Sequence, residues 1–130
     1  MTKHLMIIDD DQIFRLLTVI MSKNLAVSSL ELHEFEDGEL GINGVEKLSN
    51  TKEKVIILLD INMPVLDGWG FLDQLKENKY FNIENIELYI VSSSIDESDI
   101  LKANSYEIVK KFIHKPIDQN TIRTIVNGTA

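Results

Sequence analysis

The chain has 130 residues, of which 44% are hydrophobic and 26% are charged, with a formal net charge of −8 and no cysteine. This length suits a single domain over residues 1–130. The negative charge disfavours direct binding to nucleic acid or to anionic membranes, and the lack of cysteine excludes disulfides and thiolate metal sites. We find no signal-peptide pattern and no apolar run of membrane-spanning length, so we expect a cytoplasmic protein.

The first predicted strand is the apolar run LMII at residues 5–8, which is followed at once by Asp9, Asp10 and Asp11. Such an unbroken run is typical of a strand that is covered on both faces in a parallel sheet. Asp11 is interpreted as the cap of the helix that follows. That helix is predicted to be amphipathic because apolar residues recur at the spacing of one helix face. They are Ile13, Leu16, Leu17, Ile20, Met21 and Leu25.

The remaining strands follow the same pattern with one exception. The segment LELHEF at 30–35 alternates apolar with polar residues, which favours a less covered strand near an edge. The further strands are predicted at VIILL (55–59), LYIV (88–91) and, more weakly, KFI (111–113). Helices are predicted at about 38–49, 68–78, 95–106 and 118–127. Ser94 and Glu97 match a capping box for the helix over 95–106.

Strand and helix therefore alternate five times, which predicts an α/β fold with a parallel sheet between two helical layers. In such a sheet the carboxyl ends of all strands lie along one edge, where ligands bind. The residues at those ends are chemically distinctive. They are Asp9 and Asp10 after the first strand, Asp60 after the third, Ser92 after the fourth, and Lys115 with Pro116 after the fifth.

Three carboxylates without imidazole or thiolate favour Mg²⁺ or Mn²⁺. Asp60 has the chemistry of a nucleophile that accepts a phosphoryl group, while Ser92 and Lys115 would contact phosphoryl oxygens. Taken singly, Asp60 could instead cap a turn, Ser92 could be an ordinary bonded hydroxyl, and Lys115 could be a solvated amine. Pro116 restricts the backbone of Lys115 and could fix its direction through a cis bond.

The three histidines, His4, His33 and His114, lie in different segments of the chain. We interpret them as structural or exposed residues and not as a set of metal ligands.

Four segments, IIDDD, LLDINMPVLDGWGFL, IVSSS and FIHKP, resemble successive signatures of the receiver domain of two-component response regulators. The resemblance covers essentially the whole chain. It implies a flavodoxin-like, doubly wound sheet of five parallel strands in the order 2-1-3-4-5 with five helices. It also implies a stand-alone, chemotaxis-receiver-like domain without an output domain.

The same resemblance implies that Asp60 accepts a phosphoryl group from a sensor histidine kinase or phosphotransfer protein. It implies that Asp10 ligates Mg²⁺ or Mn²⁺ directly, that Asp9 helps to hold it, and that Asp60 and the backbone carbonyl of Asn62 are further ligands. Ser92 and Lys115 match the family's hydroxyl and lysine positions. Phe112 matches its aromatic switch position, although plain core packing would explain that residue equally well. A downstream protein partner is expected, of unknown identity.

Two alternatives belong to other functional classes. A phosphohydrolase of the haloacid-dehalogenase type also uses an aspartate nucleophile, a lysine and Mg²⁺, but its usual second aspartate would stand at Asn62. A flavodoxin-type flavin-binding module would need a loop rich in hydroxyls and glycine after the first strand, where this chain has aspartates. We therefore expect a signalling switch that phosphorylates and dephosphorylates itself and is otherwise not an enzyme.

Overall fold

The structure is a computed structural model that describes residues 2–27, 29–78 and 83–128. Strands and helices alternate along the chain, as the sequence predicts. They are β1 (Lys3–Ile8), α1 (Gln12–Lys23), β2 (Leu30–Phe35), α2 (Gly38–Lys47), β3 (Lys54–Leu59), α3 (Gly68–Glu77), β4 (Ile86–Ser92), α4 (Glu97–Asn104), β5 (Val109–His114) and α5 (Gln119–Asn127), with a short 3-10 helix at Ile83–Asn85. Within the described ranges, every helix is too short or too polar to cross a bilayer.

All five strands are parallel and form one sheet in the order β2-β1-β3-β4-β5. The predicted fold class and strand order are thereby confirmed. The alternating segment LELHEF is β2, which lies at one edge of the sheet. The unbroken apolar runs of β1 and β3 occupy the interior of the sheet and are buried from residue 5 to residue 8 and from residue 55 to residue 59.

The sheet separates two hydrophobic cores because successive strand residues point to opposite faces. One core packs β1, β3 and β4 against α2, α3 and α4, with Phe71 and Leu75 among its fully buried residues. The other packs the opposite faces of the same strands against α1 and α5, with Phe14, Ile122 and Val126 at its centre. Because helices cover both faces of the sheet, the carboxyl ends of the strands remain accessible at one edge.

Helix α1 does not turn its apolar stripe toward the sheet. The buried residues of this helix are Phe14, Thr18 and Ser22. The hydroxyl of Thr18 donates to the Phe14 carbonyl at 2.8 Å, and that of Ser22 donates to the Thr18 carbonyl at 2.7 Å, so small polar side chains are buried without unsatisfied protons. Met21 and Leu25 are partly buried, but four residues of the stripe stay exposed. They are Ile13 (63%), Leu16 (52%), Leu17 (53%) and Ile20 (47%).

The start of α4 differs from the sequence prediction, which placed it at about residue 95 with Ser94 as its cap. The helix begins at Glu97, and its cap is Asp96, whose carboxylate accepts from the Ser98 amide at 3.0 Å. The Ser94 hydroxyl donates to Asp99 Oδ2 at 2.6 Å and accepts from the Asp96 amide at 3.2 Å. Because Ser94 stabilises the loop and Asp96 is the nearer acceptor, the capping-box prediction is wrong.

Glu87 of β4 links the amino-terminal ends of three strands, β3, β4 and β5. Its carboxylate lies 2.7 Å from the Lys54 ammonium of β3 and 3.0 Å from the Lys110 ammonium of β5, and it also accepts from the Tyr89 hydroxyl. Burial alone would raise the pKa of Glu87. The hydrogen bonds from Lys54, Tyr89 and Lys110 more than offset that effect and hold the pKa at about 2.

A pKa below the unfolded value of 4.5 means that Glu87 stabilises the fold above that pH and loses this contribution as the pH falls toward 2. We predict that Glu87→Gln lowers the free energy of unfolding at pH 7 by about 1 to 3 kcal/mol. The difference from wild type should shrink between pH 4.5 and 2 in urea titrations, roughly the interval between the two pKa values. The exposed Glu107→Gln is the control, and a pH-independent difference would contradict the assignment.

The orientation of α1 also predicts unequal effects of two truncations. Phe14→Ala should lower the free energy of unfolding by about 3 kcal/mol because it opens a cavity in the core. Leu17→Ala should change it by less than about 1 kcal/mol because more than half of this side chain is exposed. Urea denaturation of both variants measures the difference. Equal losses would mean that the apolar stripe faces the sheet after all.

Candidate functional site

The central feature of the candidate site is a cluster of carboxylates at the carboxyl ends of β1 and β3. Ile8 pairs with Leu59 in the parallel register, so the next residues, Asp9 and Asp60, emerge side by side. The Asp60 amide donates to the Ile8 carbonyl at 2.9 Å and extends the ladder by one residue. As a result, carboxylate oxygens of Asp9, Asp10 and Asp60 lie within 4.8 Å of one another.

Lys115 brings positive charge to this cluster from the end of β5. Its Nζ atom lies 2.8 Å from Asp9 Oδ2 and 4.0 Å from Asp60 Oδ1. Its amide donates to the Ser92 carbonyl at 2.9 Å, which fixes the backbone at the end of β4, and the Lys115–Pro116 peptide bond is cis. The ammonium also lies 4.5 Å from the centroid of the Phe14 ring. These contacts hold a mostly buried cation beside the acids.

Asp9 is the most deeply buried of the three acids, with 1% of its surface exposed. Its Oδ1 atom accepts from the Asp11 amide at 2.9 Å. The contact of its Oδ2 atom with Lys115 lacks hydrogen-bond geometry, and no residue in the described part of the chain donates a hydrogen bond to that oxygen. A buried anionic oxygen of this kind favours a further positive partner.

The pKa of Asp60 reflects its burial and the crowding of negative charge around it. Burial raises it, the Asp9 carboxylate raises it further, and Asp10 adds to the effect. The Lys115 ammonium and the hydrogen bond from the Ile61 amide, 2.9 Å long, lower it. The net result is a pKa of about 7, so the ionised form of Asp60 is costly even with the Lys115 ammonium beside it.

The loop after Asp60 is held close to the strand end by Gly68. The Gly68 amide donates to the Ile61 carbonyl at 2.8 Å. A Cβ atom at position 68 would lie 2.5 Å from the Asp60 carbonyl oxygen, so only glycine allows this approach. Asp67 caps α3 by accepting from the Gly70 amide at 2.8 Å. Both residues therefore shape the loop that carries Asp60.

The other sequence-predicted residues lie on or near β4 and β5, in the loop after Asp60 and at the start of α1. Ser92 is buried at the end of β4, and its Oγ atom accepts from the Ser94 amide at 3.0 Å. Asn62 is exposed in the loop two residues after Asp60. Phe112 pairs with Ile90 across β4 and β5, is partly buried, and packs edge-on against His114 with ring centroids 5.1 Å apart. Asp11 caps α1, as predicted.

Two residues that contact the site, Arg15 and Phe14, were not predicted from the sequence. The Arg15 guanidinium donates to the Asp9 carbonyl at 2.6 Å and forms an ion pair with Glu34 at 3.4 Å. Phe14 lies under the ammonium of Lys115. Both belong to the first turns of α1, directly after the acids. The sequence pattern did not indicate either residue because neither belongs to the apolar stripe of α1.

The residues present fit a hard divalent cation. All donors offered by Asp9, Asp10 and Asp60 are carboxylate oxygens, which Mg²⁺ and Mn²⁺ prefer. The buried Asp9 Oδ2 atom, which accepts no hydrogen bond from a described residue, points to the same conclusion. A cation at this position would offset the repulsion that raises the pKa of Asp60.

Comparisons with known proteins agree with this geometry. The sensor histidine kinase CheAY of Helicobacter pylori is 29% identical over 120 residues, which cover 92% of this chain but only 14% of that longer protein. A two-component response regulator from Cytophaga hutchinsonii is 26% identical, with a TM-score of 0.82 and coverage of 98% of this chain and 96% of that chain. The Mn²⁺-bound form of response regulator Rcp1 shares the fold, with 20% identity, a TM-score of 0.76 and coverage of 96% and 90%.

The family model of the response regulator receiver domain matches residues 5–127, which is nearly the whole chain. The strand order and the acids at the ends of β1 and β3 agree with this match. This protein therefore belongs to the response regulator receiver domain family, the signalling module of two-component systems that is phosphorylated on aspartate.

Proposed function

We propose that Asp60 is the phosphoacceptor of this receiver domain and that its phosphorylation changes a surface read by a downstream protein. The observation that carries the proposal is the convergence of three carboxylates within 4.8 Å, with the Lys115 ammonium 4.0 Å from Asp60. Receiver domains interact with histidine kinases or phosphotransfer proteins, and we infer such a donor here. Nothing in the comparisons supports the haloacid-dehalogenase alternative, and Asn62 stands where that chemistry needs an acid.

In the proposed reaction a carboxylate oxygen of Asp60 attacks the phosphorus of a phosphohistidine. An O–P bond forms and the P–N bond breaks, and its electron pair stays on the imidazole nitrogen of the donor. The Lys115 ammonium lies 4.0 Å from Asp60 Oδ1, so it is close enough to contact a phosphoryl oxygen after the transfer. Ser92 Oγ accepts from the Ser94 amide, which leaves its own proton to donate to another phosphoryl oxygen.

Receiver domains bind Mg²⁺ or Mn²⁺ at an acidic pocket, and we propose that Asp9, Asp10, Asp60 and the Asn62 carbonyl form that pocket here. When bound, the ion would neutralise charge on the phosphoryl oxygens. Asp10 is the exposed acid of the cluster and is accessible from solvent, whereas Asp9 is buried behind it. The Mn²⁺-bound form of Rcp1, a protein of the same fold, is consistent with this assignment.

The switch would involve the ends of β4 and β5. If Ser92 moves toward a phosphoryl group on Asp60, the space beside it changes, and Phe112 is the large partly buried side chain on the neighbouring strand. The Ser92 carbonyl accepts from the Lys115 amide, so a shift of Ser92 would also act on the residues after β5. We therefore propose that Phe112 repacks on phosphorylation and alters the surface formed by α4 and β5.

The exposed apolar face of α1 is suited to docking the phosphodonor. It consists of Ile13, Leu16, Leu17 and Ile20 and begins directly after Asp11, at the rim of the acid cluster. Apolar side chains exposed together beside a reaction site indicate a surface that a protein partner covers. A donor that covered this face would bring its phosphohistidine next to Asp60.

We predict that acetyl phosphate with Mg²⁺ adds one phosphoryl group to the purified protein and that the label is then lost by self-hydrolysis. Intact-mass spectrometry measures both steps. Asp60→Asn should gain no phosphoryl mass, while the matched variant Asp11→Asn should be labelled like wild type because Asp11 only caps α1. Labelling without a divalent ion, or labelling of Asp60→Asn, would contradict the proposal.

The same cluster predicts a change in stability. In EDTA, Asp60→Asn should raise the free energy of unfolding by about 1 kcal/mol because it removes one of three crowded charges, while Asn retains an acceptor for the Ile61 amide. Mg²⁺ should raise the melting temperature of wild type and of Asp11→Asn, but much less that of Asp10→Asn. Destabilisation of Asp60→Asn in EDTA would show that the carboxylates do not repel one another.

A further inference from the structure

A second cluster of titratable side chains lies at the opposite end of β1 from the acids. His4 of β1 pairs with Glu31 of β2 in the parallel register. Residues two apart in a strand share a face, so His33 lies beside Glu31 on the same side of the sheet. His4 and His33 are therefore neighbours, although from the sequence we interpreted the histidines as structural or exposed residues and not as a set of metal ligands. His114, on β5, takes no part.

The distances between these side chains match a small coordination sphere. His4 Nδ1 lies 3.0 Å from His33 Nε2 and 3.4 Å from Glu31 Oε2, and His33 Nε2 lies 3.9 Å from Glu31 Oε2. A tetrahedral ion with bonds of about 2.0 to 2.2 Å places its ligand atoms about 3.3 to 3.6 Å apart. The observed separations bracket that range, so small side-chain rotations suffice.

Glu53 sets the orientation of His4 from outside the cluster. His4 Nε2 lies 2.9 Å from Glu53 Oε1, and we assign the proton to this nitrogen, which then donates to the carboxylate. The lone pair of His4 Nδ1 therefore points at His33 and Glu31. His33 can donate a proton to that lone pair, but the ionised carboxylate of Glu31 cannot. A carboxylate behind a histidine is also the usual outer support of a metal-binding imidazole.

We propose that His4, His33 and Glu31 bind Zn²⁺, with water as a fourth ligand and Glu53 as the support of His4. Two imidazoles and one carboxylate suit zinc, whereas Mg²⁺ prefers oxygen alone. Side-chain exposure rises from 5% at His4 through 29% at His33 to 62% at Glu31, which gives the ion a path from solvent. Bound zinc would fasten the edge strand β2 to β1. The site lies roughly 17 Å from Asp9 in the direction of β1, so it is separate from the acid cluster.

Calorimetric titration with ZnCl₂ in excess Mg²⁺, combined with metal analysis after dialysis, tests this site. Wild type should bind one Zn²⁺ per chain. His33→Gln and Glu31→Gln, both at solvent-accessible positions, should each weaken binding by at least about tenfold, and Glu53→Gln should weaken it about 10- to 100-fold without removing a ligand. Proton NMR of the imidazole rings should show zinc-induced shifts at His4 and His33 and none at His114.

Two control variants separate this site from other places where zinc could bind. His114→Gln removes the histidine outside the cluster, and Asp10→Asn disables the acidic pocket. Both should bind Zn²⁺ with wild-type affinity. Wild-type affinity in His33→Gln and Glu31→Gln, loss of binding in Asp10→Asn, or no binding by wild type would each overturn the proposal. Circular dichroism confirms that each variant is folded.

Discussion

The parallel pairing of β1 with β3 is the constraint on which the functional site depends. It brings Asp9 and Asp60 out of the sheet side by side, although 50 residues of sequence separate them. Both strands are apolar and buried on both faces, so the hydrophobic cores hold these carboxylates together in spite of their mutual repulsion. Burial, together with this proximity to Asp9, raises the pKa of Asp60 to about 7.

The Lys115 ammonium offsets part of the negative charge of the three carboxylates. One ammonium faces three carboxylates, and it lies closer to Asp9 than to Asp60. Net negative charge therefore remains, which suits a divalent ion and, after it, a phosphoryl group. Each added charge changes the electrostatic forces on the residues at the ends of β4 and β5, where the Lys115 amide donates to the Ser92 carbonyl. The same arrangement therefore favours a reversible switch.

The fold and the acid cluster could be predicted from sequence because their signals are local. Three of the strands are unbroken apolar runs, and Asp9, Asp60 and Ser92 each directly follow one of these runs. Three features could not be predicted in this way. The orientation of α1 buries Thr18 and Ser22, whose hydroxyls donate to carbonyls within the helix and are therefore satisfied. The start of α4 depends on a contact between Ser94 and Asp99. The meeting of His4 with His33 depends on the register of two strands.

Phe14 links the chemistry of the site to the surface of α1. Its ring is a buried anchor of that helix, and one face of the same ring carries the Lys115 ammonium. A displacement of the ammonium toward a new anion withdraws the cation from that aromatic face, so α1 loses a favourable contact at its first turn. Phe14 thus couples the packing of the first turn of α1 to the position of the ammonium beside the acids, so that a change of charge in the pocket is transmitted to the helix through one aromatic ring.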